Sequence, residues 1–281
     1  VSVTTTDNDT AGFTVIESGG STNIGEDGST DTFTVVLNSE PISNVVISIT
    51  SSDTGESTVS PGSLTFTSGN WDTPQTVTVT GANDDFVDAS QTSTLTVAVV
   101  DASSDNSFDP LADQTVSVTT ADNDVAGFTV AQSGGSTSVS ESGTTDTFTV
   151  VLNAQPDSGT SVVLSVTSSD TGEATVNSPL TFTSANWNTP QTVTVTGVDD
   201  NIIDGTITST ITVAVNDGSS DNNFDPVADQ TVSATTTDND VAGFTIVQSG
   251  GSTSVAETGT TDTFTVVLNA QPASNVVLTI T

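Results

Sequence analysis

Apolar and polar side chains alternate along most of this chain. Phe33, Val35 and Leu37 alternate with threonine and valine, and the same alternation returns at 74–80 and 91–100. Alternation with period two in β-branched residues predicts half-buried β-strands. Clusters of Gly, Asn, Asp, Ser and Pro between the alternating runs predict turns, and no run has the spacing of an amphipathic helix.

Seven strands are predicted within one copy of this pattern, and we call them A to G. Their ranges are 11–17, 31–38, 43–51, 63–67, 74–80, 91–100 and 114–121. Seven short strands in about 115 residues indicate an all-β fold, an antiparallel Greek-key β-sandwich of immunoglobulin-like size.

Long phrases recur at a spacing near 115 residues. Thr-Phe-Thr-Val-Val-Leu-Asn occurs at 32–38, 147–153 and 263–269, and Asp-Asn-Asp occurs at 7–9, 122–124 and 238–240. A period of this length suits one domain per repeat, with the sandwiches end to end. The predicted domains are the last strand of a preceding repeat at 1–9, complete repeats at 10–124 and 125–240, and the first strands of a following, incomplete repeat at 241–281. We therefore expect the chain to be part of a longer array.

The composition removes most enzyme chemistry. The 281 residues include 35 acidic side chains and no Lys, Arg, His or Cys, for a formal net charge of −35. Without His or Cys there is no imidazole base, thiolate nucleophile or ordinary zinc site. Without Lys or Arg there is no basic surface for nucleic acid. We therefore predict that the chain is not an enzyme and binds no nucleic acid. The longest apolar run, Val97–Val100, is too short for membrane insertion.

Many of the acidic residues fall in loops at one end of the predicted sandwich. Successive antiparallel strands run in opposite directions, so the loops after A, C and E and the exit from G share one end. In the first repeat these segments hold Glu26, Asp53, Asp84, Asp85, Asp88, Asp122 and Asp124. The second repeat has Glu141, Asp170, Asp199, Asp200, Asp204, Asp238 and Asp240 at the matching places.

Carboxylates clustered in this way repel one another, and a bound cation would offset the repulsion. Two carboxylates about 5 Å apart repel by about 3 kcal/mol at an effective dielectric constant of about 20. The side chains include no cation to offset this repulsion, so the groups must spread into water, take up protons or bind metal ions. Calcium takes about six to eight oxygen ligands and prefers carboxylates, and we predict calcium as the ligand of these residues.

The same residues carry a family resemblance. Glu26 in Ile-Gly-Glu-Asp-Gly, Leu-Thr-Phe at 64–66, Asp84-Asp85 followed by Asp88, and the closing Asp-Asn-Asp at 122–124 resemble the Calx-β domain. The resemblance implies a seven-strand sandwich of a bacterial extracellular protein that binds calcium where one domain meets the next. It gives ligand roles to the seven acids of the first repeat named above. Two departures are Asn123 inside the closing triplet and Asp204, which we expect to be displaced by one position relative to Asp88.

Several of these features have simpler interpretations. Asp-Asn-Asp can be an Asx-turn linker, and the paired aspartates can be solvated loop acids. Trp71 and Trp187 can stack on sugars, but a single tryptophan per repeat beside a proline favours edge packing. Paired carboxylates also occur in glycosidases, but near-identical tandem copies on loops disfavour that activity.

The opposite end carries a second series of acids in the F–G loop. These are Asp101, Asp105 and Asp109 in the first repeat, and Asp217, Asp221 and Asp225 in the second. They can complete a neighbour's site, but we favour solvated loop residues.

Three functions compete at this stage. The favoured one is a structural segment of an extracellular or cell-surface protein, a calcium-stiffened stalk or filament whose partners are neighbouring repeats and, in fibres, other copies. The alternative is an adhesin module that binds a carbohydrate or protein receptor through loops. The third is a halophile-type acidic surface, which the Thr- and Ser-rich strand faces disfavour because its acids should cover the strands.

Overall fold

A computed structural model describes residues 1–6 and 8–281. The chain divides into two compact units, Val1–Val125 and Ala126–Thr281. Regular structure in the described residues consists of β-strands and 3-10 helices of three residues each. Within this part of the chain, no helix has the length and apolar character needed to cross a membrane.

The first unit is a two-sheet sandwich. Its described residues form β1 (Phe13–Glu17), β2 (Thr22–Gly25), β3 (Thr30–Leu37), β4 (Val45–Ser51), β5 (Ser57–Ser60), β6 (Ser63–Phe66), β7 (Gln75–Gly81), β8 (Gln91–Val99) and β9 (Gln114–Ala121). One sheet has the order β1-β3-β7-β5 and the other has the order β2-β9-β8-β4-β6. The 3-10 helices of this unit are Ser18–Gly20 and Asp101–Ser103.

Two of the seven predicted strands are divided between the sheets. Predicted strand A, given as 11–17, continues past Ser18–Gly20 as β2 in the second sheet. Gly19 and Gly20 have positive φ values of 65° and 83°, which allow the chain to change sheets there. Predicted strand D, given as 63–67, is preceded by β5 in the first sheet before it continues as β6 in the second.

The predicted fold class is confirmed, but one detail of it is wrong. The chain is all-β, with the two-sheet topology of an immunoglobulin-like sandwich. The sandwich is not antiparallel throughout, because β2 pairs in parallel with β9, from Thr22 with Val118 to Gly25 with Ala121. This parallel pair arises because the chain keeps its direction when it passes from β1 to β2.

The core lies between the inner faces of the sheets. Phe33 and Val77 of one sheet are fully buried with Ile47 and Leu95 of the other. Phe108, from the loop between β8 and β9, is 1% exposed and belongs to the same core. These alternating positions are the ones that the period-two pattern places inside.

The second unit repeats this topology and adds the start of a third copy. Its described strands are β10 (Phe128–Gln132), β11 (Thr137–Ser140), β12 (Thr145–Leu152), β13 (Ser161–Ser168), β14 (Ala174–Val176), β15 (Leu180–Thr183), β16 (Gln191–Gly197), β17 (Ile207–Val215), β18 (Gln230–Thr237), β19 (Phe244–Gln248) and β20 (Phe264–Leu268). Its sheets have the orders β10-β12-β16-β14, β11-β18-β17-β13-β15 and β19-β20. The 3-10 helices are Ser133–Gly135, Asp217–Ser219, Asn222–Phe224 and Ser249–Gly251.

The segments outside the two complete sandwiches have little regular structure. Residues 1–6 and 8–9 form no strand, and Asp7 of the first Asp-Asn-Asp lies outside the described residues. In the third repeat, residues 253–256 correspond to β2 but form no strand among the described residues. The predicted domain boundaries, including the strand at 1–9, stay predictions.

Candidate metal centre

The acidic residues of the first repeat gather around Glu26. The glutamate directly follows β2, and its N–H donates to the carbonyl oxygen of Ala121 at the end of β9, 3.1 Å away. Asn123 N–H donates to Glu26 Oε2 at 3.3 Å. The parallel β2–β9 pair therefore places Glu26 directly beside Asp122 and Asp124, which lie almost one hundred residues later. We call this end of each sandwich the acidic end and the opposite one the far end.

Two groups of carboxylates share Glu26. Among the described residues, one group is Glu26, Asp122 and Asp124, and the other is Glu26, Glu56 and Asp84. In each group, one oxygen per residue lies within 4.8 Å of the others. Glu26 is 1% exposed, so the two groups meet at a buried carboxylate.

The second repeat has a similar arrangement around Glu141. Its described groups are Glu141, Asp238 and Asp240, and Glu141, Glu173 and Asp204. Asn239 N–H donates to Glu141 Oε2 at 3.1 Å, as Asn123 does to Glu26. Both copies thus share the two glutamates and the closing aspartates, but the third member of the second group is Asp84 in the first repeat and Asp204 in the second.

Glu56 and Glu173 are members that the sequence analysis missed. Each lies in the turn after the fourth strand of its repeat and is nearly buried. The backbone carbonyl of Glu56 accepts from Ala82 N–H at 3.0 Å and from the Thr120 hydroxyl at 3.3 Å, so both sheets hold this residue. The sequence contained a signal, because Asp-Thr-Gly-Glu recurs at 53–56 and 170–173.

The aspartates predicted for this turn have another role. Asp53 Oδ1 accepts from Gly55 N–H at 2.9 Å, and Asp170 Oδ1 accepts from Gly172 N–H at the same distance. Both side chains are exposed and belong to neither group in the described residues. They form Asx-turns that position the following glutamate.

Asp122 ties the loop after β7 to the exit of the chain. Its Oδ2 accepts from Asp88 N–H at 3.1 Å and Ala89 N–H at 2.9 Å, and its Oδ1 accepts from Asp124 N–H at 2.6 Å. The closing Asp-Asn-Asp is therefore an Asx-turn and part of the acidic cluster at the same time. The cluster holds the loop that supplies Asp84.

The matching bonds in the second repeat correct the predicted register. Asp238 Oδ2 accepts from Asp204 N–H at 3.1 Å and from Gly205 N–H at 2.9 Å. Asp204 therefore occupies the place of Asp88, and the expected displacement by one position is wrong.

The same register changes the partners of the paired aspartates. Asp200 Oδ1 accepts from Ile202 N–H as Asp84 Oδ1 does from Phe86 N–H. Asp199 accepts from the Asn239 side-chain amide, which is the role of Asn83 in the first repeat. Asp85 is exposed and lies outside the described groups, as do Asp199 and Asp200.

Burial and mutual repulsion raise the pKa of the clustered groups. Burial, followed by the charges of Asp88 and Asp84, raises the pKa of Glu56 from 4.5 to about 7. Burial is also the first cause that raises the pKa of Glu26 and Asp124, with nearby aspartates adding to it. Near neutral pH, deprotonation of these carboxylates therefore destabilises the folded chain, and a bound cation would offset this cost.

The carboxylate oxygens fit a hard cation. Within the described chain, buried oxygens without a hydrogen-bond donor include Glu56 Oε2, Asp124 Oδ2, Glu141 Oε1, Glu173 Oε2 and Asp240 Oδ2. A buried carboxylate oxygen without a partner is costly, and carboxylates converging within a few ångströms are the ligands that calcium prefers. Glu26, Glu56, Asp84, Asp122 and Asp124 are the residues that would hold the ion in the first repeat.

Two of the aspartates at the far end are structural. Asp105 is 6% exposed, and its Oδ2 accepts from Ile42 N–H at 2.7 Å and Ser43 N–H at 3.0 Å. A hydrogen bond from Ser107 N–H is the main cause that lowers the pKa of Asp105, and the bonds from Ser43 and Ile42 add to it. Asp221 is also buried and accepts from Asp157 N–H at 2.7 Å. The interpretation of these two residues as solvated loop acids is wrong, because each fastens two loops together.

Trp71 packs at the edge of the core. Its ring is partly buried against the core, and its carbonyl accepts from Leu37 N–H at 3.1 Å. Trp187 makes the same bond with Leu152. This placement matches edge packing.

No protein-family model matches the chain, and no curated protein matches it. Similar solved structures include the D0–D1 domain of intimin, at 18% identity and a TM-score of 0.28, covering 79% of this chain and 94% of that one. CBD12 from CALX1.2 is 12% identical with a TM-score of 0.29, covering 71% and 79%. Domains 1–6 of the surface layer protein SbsC are 17% identical with a TM-score of 0.34, covering 93% and 37%.

These likenesses are low in both identity and TM-score, so the fold and the function rest on the chain's own topology and side chains. By that topology, the chain contains immunoglobulin-like β-sandwich repeats. Each complete repeat carries a partly buried carboxylate cluster at its acidic end.

Proposed function

We propose that this chain is a repeat segment of a large bacterial extracellular protein, where it forms a calcium-stiffened stalk or filament. The observation that carries the proposal is the set of buried carboxylate oxygens, without donors among the described residues, around Glu26 and Glu141. The side chains of the sequence include no cation that could neutralise them. Extracellular modules of this kind bind calcium at about 0.1–1 mM, the range of extracellular calcium.

Stiffening would follow from the position of the ligands along the chain. Asp122 and Asp124 belong to the carboxylate group and also form the segment by which the chain leaves the first repeat. An ion held by both would fix the backbone at that exit, and Asp238 with Asp240 would do the same in the second repeat. Neighbouring repeats, and other copies in a fibre, are then the expected partners.

The adhesin alternative receives less support. A receptor site usually belongs to one specialised surface, whereas the turns of the two complete repeats carry the same side chains in the same hydrogen bonds. Equivalent repeats suit a spacer.

Calorimetric titration with calcium tests the proposal. The wild-type chain should bind at least two ions, one or more per complete repeat, and Glu26→Gln with Glu141→Gln should weaken the binding at least tenfold. Asp72→Asn with Glu257→Gln is the matched control, because it removes the same charge from exposed positions. Absence of calcium binding by the wild-type chain, or equal binding by both double variants, would contradict the proposal.

Small-angle scattering separates stiffening from binding alone. Calcium should narrow the range of dimensions of the wild-type chain relative to chelator, and the Glu26→Gln, Glu141→Gln variant should show the chelator profile in both conditions. If the wild-type chain binds calcium but its scattering profiles with and without calcium are identical, the proposal that calcium stiffens the chain is contradicted.

A further inference from the structure

Strand β2 forms one edge of the five-stranded sheet of the first repeat. Glu26 N–H, directly after β2, donates to the carbonyl oxygen of Ala121 and therefore faces β9. Successive N–H groups of a strand point to opposite sides within the sheet, so those of Asn23 and Gly25 face away from β9. An edge strand with such outward N–H groups is a template on which a strand of another chain can pair.

Side chains of the same repeat accept from both outward N–H groups. Asn23 N–H donates to Asp31 Oδ2 at 3.0 Å, and Gly25 N–H donates to Ser29 Oγ at 2.6 Å. Ser29 lies between β2 and β3, whereas Asp31 lies in β3 of the other sheet. A strand of another chain would therefore have to displace these side chains before it could pair with β2.

The alternation of β3 directs Asp31 toward β2. Asp31 lies two residues before the buried Phe33, on the face of β3 that is turned toward the other sheet. Its Oδ1 accepts from the Ser18 hydroxyl at 2.6 Å, and Ser18 begins the 3-10 helix that joins β1 to β2. An inward-pointing acidic residue is one of the devices by which natural sheets prevent pairing at an edge.

The same two bonds recur in the second and third repeats. In each, an aspartate accepts from the N–H eight residues earlier, and a threonine takes the place of Ser29. The pairs are Ser138 N–H with Asp146 Oδ2 at 2.8 Å, Ser140 N–H with Thr144 Oγ1 at 2.7 Å, Ser254 N–H with Asp262 Oδ2 at 2.9 Å, and Ala256 N–H with Thr260 Oγ1 at 2.7 Å. In the third repeat the bonds are present although residues 253–256 form no strand. The acceptors thus hold this segment by local bonds that do not require its pairing.

Side chains also occupy a main-chain group at the opposite edge of the sheet, which is β6. The carbonyl oxygen of Thr65 accepts from Gln75 Nε2 at 2.9 Å and from Asn70 Nδ2 at 3.3 Å. Gln191 Nε2 donates to the carbonyl oxygen of Thr181 in the second repeat, at 2.7 Å. An acceptor that already has an amide donor offers less to a pairing strand, so both edges of this sheet are modified against strand addition.

We propose that Asp31 and Asp146, which we call the edge aspartates, prevent copies of this chain from pairing laterally through β2 and β11. Tandem copies place the same edge at high effective concentration, so an unprotected edge would pair with the matching edge of a second copy. Within the described residues, neither edge aspartate belongs to the carboxylate groups around Glu26 and Glu141. The role of the edge aspartates is therefore independent of calcium.

Light scattering after size-exclusion chromatography of the full chain tests this role. Chelator is present throughout, so that calcium cannot bridge carboxylates of two copies. Asp31→Ala with Asp146→Ala should convert most of the chain into dimers and larger species at a concentration at which the wild-type chain is monomeric. A folded alanine variant that stays monomeric, or a wild-type chain that associates to the same extent, would overturn the proposal.

Two matched variants separate the lost acceptor from the lost charge. Asp31→Asn with Asp146→Asn removes the same charge but keeps an acceptor oxygen, so it should remain monomeric. Ser18→Ala with Ser133→Ala removes another hydrogen bond of each edge aspartate without freeing a main-chain donor, and it should also remain monomeric. Association of the asparagine variant equal to that of the alanine variant would assign the effect to lost repulsion and overturn the proposal. Equal association of the serine-to-alanine variant would assign it to local destabilisation, with the same consequence.

Amide hydrogen exchange of the wild-type chain gives a measurement that does not depend on the folding of a variant. The N–H groups of Asn23 and Ser138 lie on the outer side of edge strands, and their bonds to the edge aspartates should slow exchange at least about tenfold relative to the unfolded chain. Exchange of both groups at the rate of the unfolded chain would show that the edges are open and would overturn the proposal.

Discussion

At the residue scale, the buried glutamates determine how the acidic end behaves. Glu26 and Glu56 contribute carboxylates to one small volume in which burial disfavours their charged forms. A structural role for them without an ion would leave Glu56 Oε2 without a donor in the described chain. Removal of that charge should therefore have opposite effects with and without calcium.

We predict this reversal for Glu56→Gln with Glu173→Gln. In chelator at pH 8 the variant should be more stable than the wild-type chain by about 1 kcal/mol per repeat, because one buried, repelled charge is removed from each repeat. In calcium it should be less stable, and its calcium affinity should fall at least tenfold. Thermal unfolding by calorimetry measures both effects.

Asp53→Asn with Asp170→Asn is the control for the glutamate variant. It removes two charges from the same turns at exposed positions and should change calcium affinity by less than threefold. A glutamate variant that is destabilised in chelator would show that the carboxylates stabilise the fold without an ion.

The calcium-free chain should also respond to pH between 5 and 8. The folded-state pKa of Glu56 is raised from 4.5 to about 7, so its stabilising contribution is fully present below pH 4.5 and is lost as the pH rises through 7. Groups with lowered pKa, such as Asp105 and Asp221, titrate below this window. In chelator, the free energy of unfolding should therefore be lower at pH 8 than at pH 5 by about 1 kcal/mol, after allowance for solvent screening. The chain should accordingly unfold at a lower temperature at pH 8.

Calcium should reverse this pH profile. The ion requires deprotonated carboxylates, so its affinity should fall as the pH drops below 7. Melting temperatures at pH 5, 6, 7 and 8, with and without calcium, give the two curves. Parallel curves would contradict the assignment of these groups as ligands.

The sequence revealed part of this cluster and missed part of it. Strand parity led to Glu26, Asp84, Asp122 and Asp124, because the end of the sandwich on which a loop lies depends only on the number of strands before it. The number of strands places a loop at one end of the sandwich, but it does not identify which acidic side chain of that loop points into the cluster. In Asp-Thr-Gly-Glu the aspartate closes the turn and the glutamate enters the cluster, and this follows from backbone geometry that no residue count supplies.

At the element scale, the long alternating strands were predictable, whereas the short strands β2 and β5 were not. β3, β7 and β8 alternate over seven to nine residues and match the predicted ranges within one residue at each end. β2 and β5 have four residues each, and the sequences Thr-Asn-Ile-Gly and Ser-Thr-Val-Ser resemble turns in composition. Their strand conformation comes from partners in the other sheet, which is tertiary information.

One glycine allows the two sheets to close at the acidic end. A Cβ on Gly81, the last residue of β7, would overlap the carbonyl oxygen of Gly25 at the end of β2. Gly197 has the same relation to Ser140 in the second repeat. β2 and β7 belong to different sheets, so this close backbone approach brings Glu26 next to the loop that carries Asp84.

Gly81→Ala should therefore destabilise the first repeat by about 3 kcal/mol, since backbone must move to admit the methyl group. The change should also weaken calcium binding in that repeat, because the two ligand-bearing segments are forced apart. Gly69→Ala is the control: its new Cβ would meet only the Thr67 hydroxyl, at 3.7 Å, and it should cost less than 1 kcal/mol. Calorimetric unfolding should show one transition moved and the second repeat unaffected. Equal stability of the two variants would contradict the close approach.

At the scale of the whole molecule, the charge balance separates the candidate functions. A net charge of −35 with no Lys, Arg or His makes the folded chain sensitive to any cation. A halophile-type surface would need general screening, which depends on ionic strength and not on the identity of the ion. A calcium site depends on a few converging oxygens, which is what the groups around Glu26 and Glu141 provide.

Calcium and sodium chloride should therefore stabilise the chain in different ways. We predict that calcium at about 1–5 mM raises the melting temperature in a saturating manner, by the RT ln(1 + [L]/Kd) expected for a ligand of the folded state. Sodium chloride at the same ionic strength should give less than a third of this gain and should not saturate, because screening leaves the donor-less oxygens unpartnered. In the Glu26→Gln, Glu141→Gln variant the two salts should act alike, since only screening remains. Equal gains from both salts in the wild-type chain would favour the halophile-type surface, because the stability would then follow ionic strength alone.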